Sequence, residues 1–354
     1  MKKLEVLEKF PRVKFAQLPT PMHAIHNFSK NFDDLEIWIK RDDLSGLEGG
    51  GNKTRKLEFL IGDALEKGAD TLATIGAIQS NHTRQTAAAA ARVGMKCSLL
   101  HYGWTKDAGP NYRKVGNILL SSILGADLYV DDTPRPIEDQ GPLEEFCNFL
   151  ENKGQKPYLI PGGASEHELG SLGYMICAEE IVNQSKIDNV KFDYVVHCTG
   201  SSSTQAGLLA GFAALGEDVH IIGMADDDET LIKKSRVLEL ANNTLEMLDL
   251  EVRVDKSQVE IVAGDDNCYG VSDDVTFEGI RMMAQSEGII CDPVYEGKAI
   301  RGLRELAAKG RFEKGSKVLL MHLGGSPAVH AYANQFSEVK LTPFSVDEKG
   351  AYNV

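Results

Sequence analysis

The 354-residue chain has no C-x-x-C pair, and its six cysteines, Cys97, Cys147, Cys177, Cys198, Cys268 and Cys291, are scattered singly. That spacing supports neither a zinc knuckle nor a disulfide framework, so no metal site is expected and reduced, buried thiols in a cytoplasmic protein are. Positive charge is in deficit: 38 Lys and Arg face 52 Asp and Glu, a net charge of −14. A surface of that sign repels phosphate backbones, which argues against a nucleic-acid partner. No uncharged apolar run reaches the roughly 20 residues of a membrane span. The opening Met-Lys-Lys-Leu-Glu-Val meets Glu5 and Glu8 before the apolar stretch of a signal peptide could form. Internal repeats are missing too, and the alanine run at 87–91 reads as helix propensity.

What is present is an alternation of short β-branched runs with longer helical ones. Thr71 to Ile75 reads as a strand, His82 to Val93 as a helix closed by Gly94, and Lys96 to Leu100 as a strand. Tyr112 to Leu124 then reads as a helix ended by Gly125, and Asp127 to Val130 as a further strand. The grammar returns with Tyr194 to His197 into Thr204 to Ala214, with Ile221 to Met224, and with Lys317 to Met321 into Ala328 to Tyr332. Such alternation predicts parallel sheets covered by helices, and at this length two α/β lobes rather than one. Leu341 to Val354, with Pro343, Gly350 and mixed charge, reads as a surface tail.

Three strand-to-helix junctions carry candidate chemistry. In Gly49-Gly50-Gly51-Asn52-Lys53 the glycines permit close backbone approach and unusual dihedrals, setting the lysine against something bulky. Asn52 before the lysine excludes a Walker A loop, and the G-x-G-x-x-G dinucleotide spacing is absent. On this segment alone a glycine-rich turn with solvated lysines is an equal alternative. At Gln79-Ser80-Asn81-His82, a helix start suits a carboxylate or a phenolate oxygen. At Gly200-Ser201-Ser202-Ser203-Thr204, stacked hydroxyls and N–H donors at a positive helix end suit a phosphate dianion.

These segments, with Asp292-Pro293-Val294-Tyr295-Glu296-Gly297 and His322-Leu323-Gly324-Gly325-Ser326, resemble the 1-aminocyclopropane-1-carboxylate (ACC) deaminase and D-cysteine desulfhydrase family, in order from about Phe10 to Tyr332. The resemblance implies a two-lobed, tryptophan synthase β-like, fold-type II pyridoxal 5'-phosphate (PLP) enzyme with the cofactor in the cleft between its lobes. A large lobe of 1–54 and 159–340 would carry a small inserted lobe of 55–158. Lys53 would be the Schiff-base lysine, with Lys56 lowering its pKa or helping to hold the phosphate. Asn81 would meet the ring hydroxyl, and Ser80 the substrate carboxylate. Gly200, Ser201, Ser203 and Thr204 would hold the phosphate, and Tyr269 and Tyr295 would face the substrate. Glu296 would hold the pyridine nitrogen protonated, with Leu323 at the same ring edge.

Within the family the resemblance points two ways. Glu296, Leu323, Trp104 and Val115-Gly116-Asn117-Ile118 follow the ACC deaminase pattern, whereas His82 and Ser272 depart from it toward the desulfhydrases. Hydrolytic deamination of ACC to 2-oxobutanoate and ammonia is the first expectation. β-Elimination from D-cysteine or a related sulfur or sulfonate amino acid is the alternative. A homodimer acting on a small amino acid is implied in either case. His82 reads as a wall of the site rather than its base, and Tyr269, in a weaker motif, keeps a substantial alternative as a core residue.

Overall fold

A computed structural model of the chain describes residues 4–103, 109–134, 139, 141–164, 167–226, 230–263, 269–336, 339–346 and 352–353. Trp104 and Cys268 lie outside the described residues. Ten strands form two sheets: β1 (Met22–Ala24), β2 (Glu36–Arg41), β3 (Thr71–Ala77), β4 (Lys96–Tyr102), β5 (Asp127–Asp131), β6 (Pro157–Ile160), β7 (Tyr194–Thr199), β8 (His220–Ala225), β9 (Glu260–Ala263) and β10 (Lys317–His322). The larger sheet runs β1-β2-β10-β7-β8-β9, parallel except for β1, and the smaller runs β5-β4-β3-β6, parallel throughout. Two further short strands, β11 (Ser345–Val346) and β12 (Tyr352–Asn353), pair in the tail.

The helices are α1 (His26–Ser29), α2 (Asn52–Glu66), α3 (Asn81–Val93), α4 (Asn117–Ile123), α5 (Gly141–Asn152), α6 (Glu168–Ile187), α7 (Ser203–Leu215), α8 (Thr230–Met247), α9 (Asp274–Glu287) and α10 (Glu296–Ala308). Among the described residues no helix is long and apolar enough to cross a membrane.

The central strands of the larger sheet are apolar on both faces because helices cover both. Val196, Cys198, Ile222, Met224, Val318 and Leu320 pack on one side with Phe277, Ile280, Ile300 and Leu303 of α9 and α10. Their neighbours Val195, Ile221, Leu319 and Met321 pack on the other with Leu172 and Met175 of α6 and Leu208 and Phe212 of α7. The period of two along each strand therefore divides one sheet between two cores. The smaller sheet lies in sequence between β2 and β7, as an insertion into the larger one. Its last strand reaches Ile160, past residue 158, while α2 starts at Asn52 and packs on both α6 and α3.

Two helical expectations shift. The helix foreseen over Tyr112–Leu124 begins only at Asn117, because Gly116 takes φ 70° and the Gln79 amide binds the carbonyls of Tyr112 and Val115 at 2.6 and 2.8 Å. The segment around Ala328 is a 3-10 helix, Ser326–Gln335, with a proline in its first turn.

The lead-in to α2 is built on backbone that only glycine tolerates. Gly49, Gly50 and Gly51 take φ of +70°, +61° and +129°. A Cβ on Gly50 would stand 1.8 Å from Asp43 O, a clash with main chain that cannot swing away. Behind the loop, Arg55 donates to Asp42 at 2.8 Å and to Glu180 at 2.8 Å, and Tyr174 donates to Asp42 at 2.7 Å, which pins the first turn of α2. Gly50→Ala is expected to destabilise the protein by at least about 3 kcal/mol. Gly68→Ala, at φ +68° with nothing within 4 Å, should cost only about 1–2 kcal/mol for the left-handed backbone. Equal denaturation midpoints for the two variants would show that the Asp43 contact does not matter.

Candidate active site

In parallel sheets the carboxyl ends of the strands open onto crevices between connecting loops. Here the ends of β10, β7, β8 and β3 converge on a cleft of about 980 Å³, its open mouth included. Lys53, in the first turn of α2, lines one side of it. Its Nζ donates to Asn52 Oδ1 at 3.0 Å, and the Asn52 N–H donates to Leu323 O at 2.9 Å, so the lysine is braced against the end of β10. Burial lowers the Lys53 pKa to about 8, against the pull of acidic groups that include Asp226, Glu296 and Asp292.

The start of α3 forms the next wall. Ser80 is its N-cap and accepts from Thr83 N–H at 3.3 Å, and Gly76 leaves the room, since a Cβ there would meet Ser80 Oγ at 2.6 Å. Asn81 accepts from Asn117 Nδ2 at 2.8 Å through its own Oδ1, so its amide nitrogen is left to the cleft. His82 also lines the cleft. Its Nε2 lies 2.8 Å from Thr74 Oγ1, whose hydroxyl donates to Ile160 O, so the ring is the neutral Nε2–H tautomer. Burial, with the charges of Lys53 and Lys56, holds its pKa well below the ordinary value.

Opposite, the β7–α7 turn presents Gly200, Ser201, Ser202 and Thr204 to the cleft. Ser202 sits at φ 58°, ψ −41°, a strained conformation for a residue with a side chain. Its Oγ and the Oγ1 of Thr199 are buried and find no partner among the described residues. Two such buried hydroxyls near the positive end of a thirteen-residue helix suit an anion. The Ser203 hydroxyl is used otherwise: it donates to Ala164 O at 2.9 Å, and the side chain is not in the lining. Lys56 stands behind the turn, 3.3 Å from Ser201 Oγ, with its pKa held well below the ordinary value by burial and by Lys53. Lys233 braces the turn from α8, donating to Gly200 O at 3.0 Å and facing Asp226 at 3.2 Å.

The remaining wall is acidic and phenolic. Asp292 accepts from the N–H groups of Val294, Tyr295 and Glu296, which fixes the start of α10. Burial raises its pKa to about 6 despite those bonds. Glu296, 3% exposed, is pushed further up by burial and by Asp292, while a bond from Leu323 N–H opposes the rise. Tyr295 and Tyr269 join through their hydroxyls at 2.5 Å, and burial holds both phenols well above their usual pKa.

The chain matches the family described as pyridoxal-phosphate dependent enzyme over residues 13–324. It belongs to the pyridoxal-phosphate dependent enzymes. Relatives in the family include the 1-aminocyclopropane-1-carboxylate deaminases of Bradyrhizobium diazoefficiens and Rhizobium rhizogenes, each 44% identical over 94% of this chain and 99% of the relative. That of Burkholderia ambifaria is 44% identical over 93% of this chain and 98% of the relative. A crystal structure of an ACC deaminase homologue superposes with a TM-score of 0.84 at 38% identity, covering 94% of this chain and 98% of that one. A PLP-dependent aspartate racemase shares the fold alone, with a TM-score of 0.62 at 16% identity and coverage of 92% and 93%. The two-lobed, fold-type II α/β architecture and the PLP cofactor expected from the sequence both hold for this pyridoxal-phosphate dependent enzyme.

The cleft fits that cofactor on its own terms. It offers a primary amine of lowered pKa, two unpartnered hydroxyls at a helix start for a phosphate, and a buried carboxyl for a ring nitrogen. Lys53, Ser80, Asn81, Gly200, Ser201, Thr204, Tyr269, Tyr295, Glu296 and Leu323 all line it, while Lys56 and Ser203 stand behind. Sequence reading did not single out Thr199, Ser202, Asp226 or Asp292. The signal for Asp292 was present, since an Asp shortly before a helix start readily accepts from the free N–H groups of the turn that follows it.

Proposed function

We propose that this enzyme deaminates 1-aminocyclopropane-1-carboxylate hydrolytically to 2-oxobutanoate and ammonia. The observation that carries the reading is near-full-length identity of 43–44% to relatives bearing that name, combined with Glu296 and Leu323 both lining the cleft and joined by the Leu323 N–H bond to the Glu296 carboxyl. Lys53 Nζ is the amine that would hold the cofactor, and Asn81 Nδ2 would donate to its ring oxygen. Ser201, Ser202, Thr204 and the first-turn N–H groups of α7 would hold the phosphate, with Lys56 behind them and Ser203 supporting the turn from its far side. When bound, pyridoxal phosphate supplies an electron sink for the pair released as a substrate bond breaks.

The chain's own groups would do the rest. Ser80 and the N-terminal N–H groups of α3 hold the substrate carboxylate. Tyr269 and Tyr295, protonated at neutral pH, place a hydroxyl proton beside the substrate. Lys53, released, moves protons at Nζ. The inserted lobe is taken as 55–158, extended to Ile160 so that β6 stays whole. A cytoplasmic homodimer goes with the reading on resemblance, and light scattering tests the assembly.

The test is to offer the purified holoenzyme ACC and D-cysteine separately and identify the 2-oxo acid. 2-Oxobutanoate from ACC is expected. Pyruvate and sulfide from D-cysteine, with ACC untouched, would overturn the reading and make His82 the better guide to substrate.

The lysine adds a pH prediction. Capture of the cofactor by the apoprotein needs the neutral amine, so its rate should rise about tenfold per pH unit below pH 8 and level off above it. Stopped-flow absorbance of apoprotein mixed with PLP measures this. A rate still climbing tenfold per unit at pH 10 would mean an ordinary, solvated lysine makes the bond.

A further inference from the structure

Arg84 has no part in the lining of the cleft, yet it is 0% exposed and faces no carboxylate at ion-pair distance among the described residues. Burial lowers its pKa to about 10, and Glu48 attracts it only from beyond ion-pair distance, so the guanidinium is costly to bury and its hydrogen bonds indicate what it is for. Its Nε donates to Asn117 Oδ1 at 2.6 Å and its Nη2 to Gly50 O at 3.2 Å, while Nη1 has no partner among the described residues.

Arginine can only donate, so Asn117 must turn its oxygen toward Arg84 and its Nδ2 the other way. That Nδ2 donates to Gln79 O and to Asn81 Oδ1, both at 2.8 Å. Asn81 must then turn its own Nδ2 into the cleft. Asn117 is itself locked, because its N–H donates to Gln79 Oε1 at 2.9 Å and a Cβ on Gly116 would meet that oxygen at 2.5 Å. The direction of every bond follows from the guanidinium at the end of the row. Each amide in such a row polarises the next, so a fixed positive charge at one end strengthens the donor at the other.

The geometry points to Arg84 and Asn117 as positioning residues that, through Asn81, present a polarised N–H donor to the ring oxygen of the cofactor and so shift the protonation of the Lys53-bound chromophore. That lysine is also faced by Asp226, Glu296, Asp292, Lys56 and His82. The same guanidinium holds Gly50 O in the loop ahead of Lys53, tying the two sides of that linkage together. This rests on the assignment of Asn81 to the ring oxygen. A donor there draws charge from the oxygen and loosens the proton shared with the lysine nitrogen, so weakening the donor raises the pH at which the proton leaves.

The experiment is a pH titration of the visible absorption of the PLP-loaded holoenzyme and its variants, with thermal unfolding of each. Asn81→Ala should raise the midpoint by about one unit, the worth of one hydrogen bond. Asn117→Asp should raise it at least as far: the new carboxylate accepts from Arg84 and from Asn81 Nδ2, which turns the Asn81 oxygen into the cleft. That carboxylate pairs the guanidinium but gives up the bond to Gln79 O, so some thermal stability should be lost, and the unfolding curve checks that the shifted midpoint is read on folded protein. Arg84→Gln should shift the midpoint in the same direction and by less, and Arg84→Lys, which restores the charge, should bring it back toward the parent. A midpoint that moves in Asn81→Ala and stays at the parent value in Asn117→Asp overturns the relay, whether or not Arg84→Gln folds. A midpoint unmoved in Asn81→Ala overturns the assignment of Asn81 instead, and the relay with it.

Discussion

Replacing Lys53 with alanine is expected to end covalent retention of the cofactor and to lower turnover at least about a thousandfold. The cleft has other amines close by, so the expectation turns on which of them is available. Lys233 is committed to Asp226 and Gly200 O at 3.2 and 3.0 Å, and Lys56 stands behind the β7–α7 turn against Ser201. Among the described residues Lys53 makes no ion pair, and its Nζ donates to the neutral amide of its neighbour Asn52. With a pKa of about 8 it also keeps a neutral fraction at physiological pH that a solvated lysine lacks. Borohydride treatment of the parent holoenzyme should therefore fix pyridoxyl mass on the peptide containing Lys53, and the alanine variant should lose PLP on dialysis. Label on the peptide of Lys233 or Lys56, or an alanine variant that keeps its turnover, would assign the chemistry to another amine.

What could be read before the fold was known was whatever lies contiguous in the chain. Gly49 to Lys53, Ser80-Asn81 and Gly200 to Thr204 are runs in which a turn and its functional side chains are neighbours, and each contributes residues to the cleft wall. The β-α alternation is likewise local, and it located β3, β4, β5, β7, β8 and β10 to within two residues while giving no reading of β1, β6 or β9. Strand order was not local: β10 enters between β2 and β7 from far along the chain, and only that insertion sets Leu323 beside Asn52. The choice among neighbouring serines was also hidden. Ser202 faces the cleft and Ser203 faces Ala164 because of one left-handed residue, and φ is not written in a run of identical hydroxyls. Asn117 illustrates a third case. Sequence reading took it as the interior of a helix from Tyr112, whereas Gly116 breaks the chain there and frees Asn117 to reach Gln79 and Asn81.

Glu296→Gln is expected to leave PLP bound, to lower turnover of ACC about a hundredfold to a thousandfold, and to make the cofactor-free protein more stable. The two effects have one cause. Glu296 is buried beside Asp292, and burial first, then that neighbour, raises its pKa well above the ordinary value. A carboxyl whose folded-state pKa lies above its unfolded one keeps a proton that the unfolded chain releases, so it costs stability that grows as pH rises from about 4 up to the folded pKa and stays constant beyond. Glutamine titrates in neither state, so the apoprotein should gain in melting temperature at neutral pH, with the gain shrinking toward pH 4. In the loaded enzyme the same proton is what a basic ring nitrogen requires, and an amide offers it a neutral hydrogen bond with no proton to share. The electron sink weakens, and the reaction that asks most of it suffers most. Opening a cyclopropane from a carbon with no α-hydrogen asks more than expelling a thiol from D-cysteine, so the loss should be larger for ACC than for any D-cysteine activity. Melting curves of the apoprotein and specificity constants for the two substrates together decide it: a variant whose apoprotein is stabilised while its ACC turnover is unchanged would place Glu296 in the cleft wall, away from the ring.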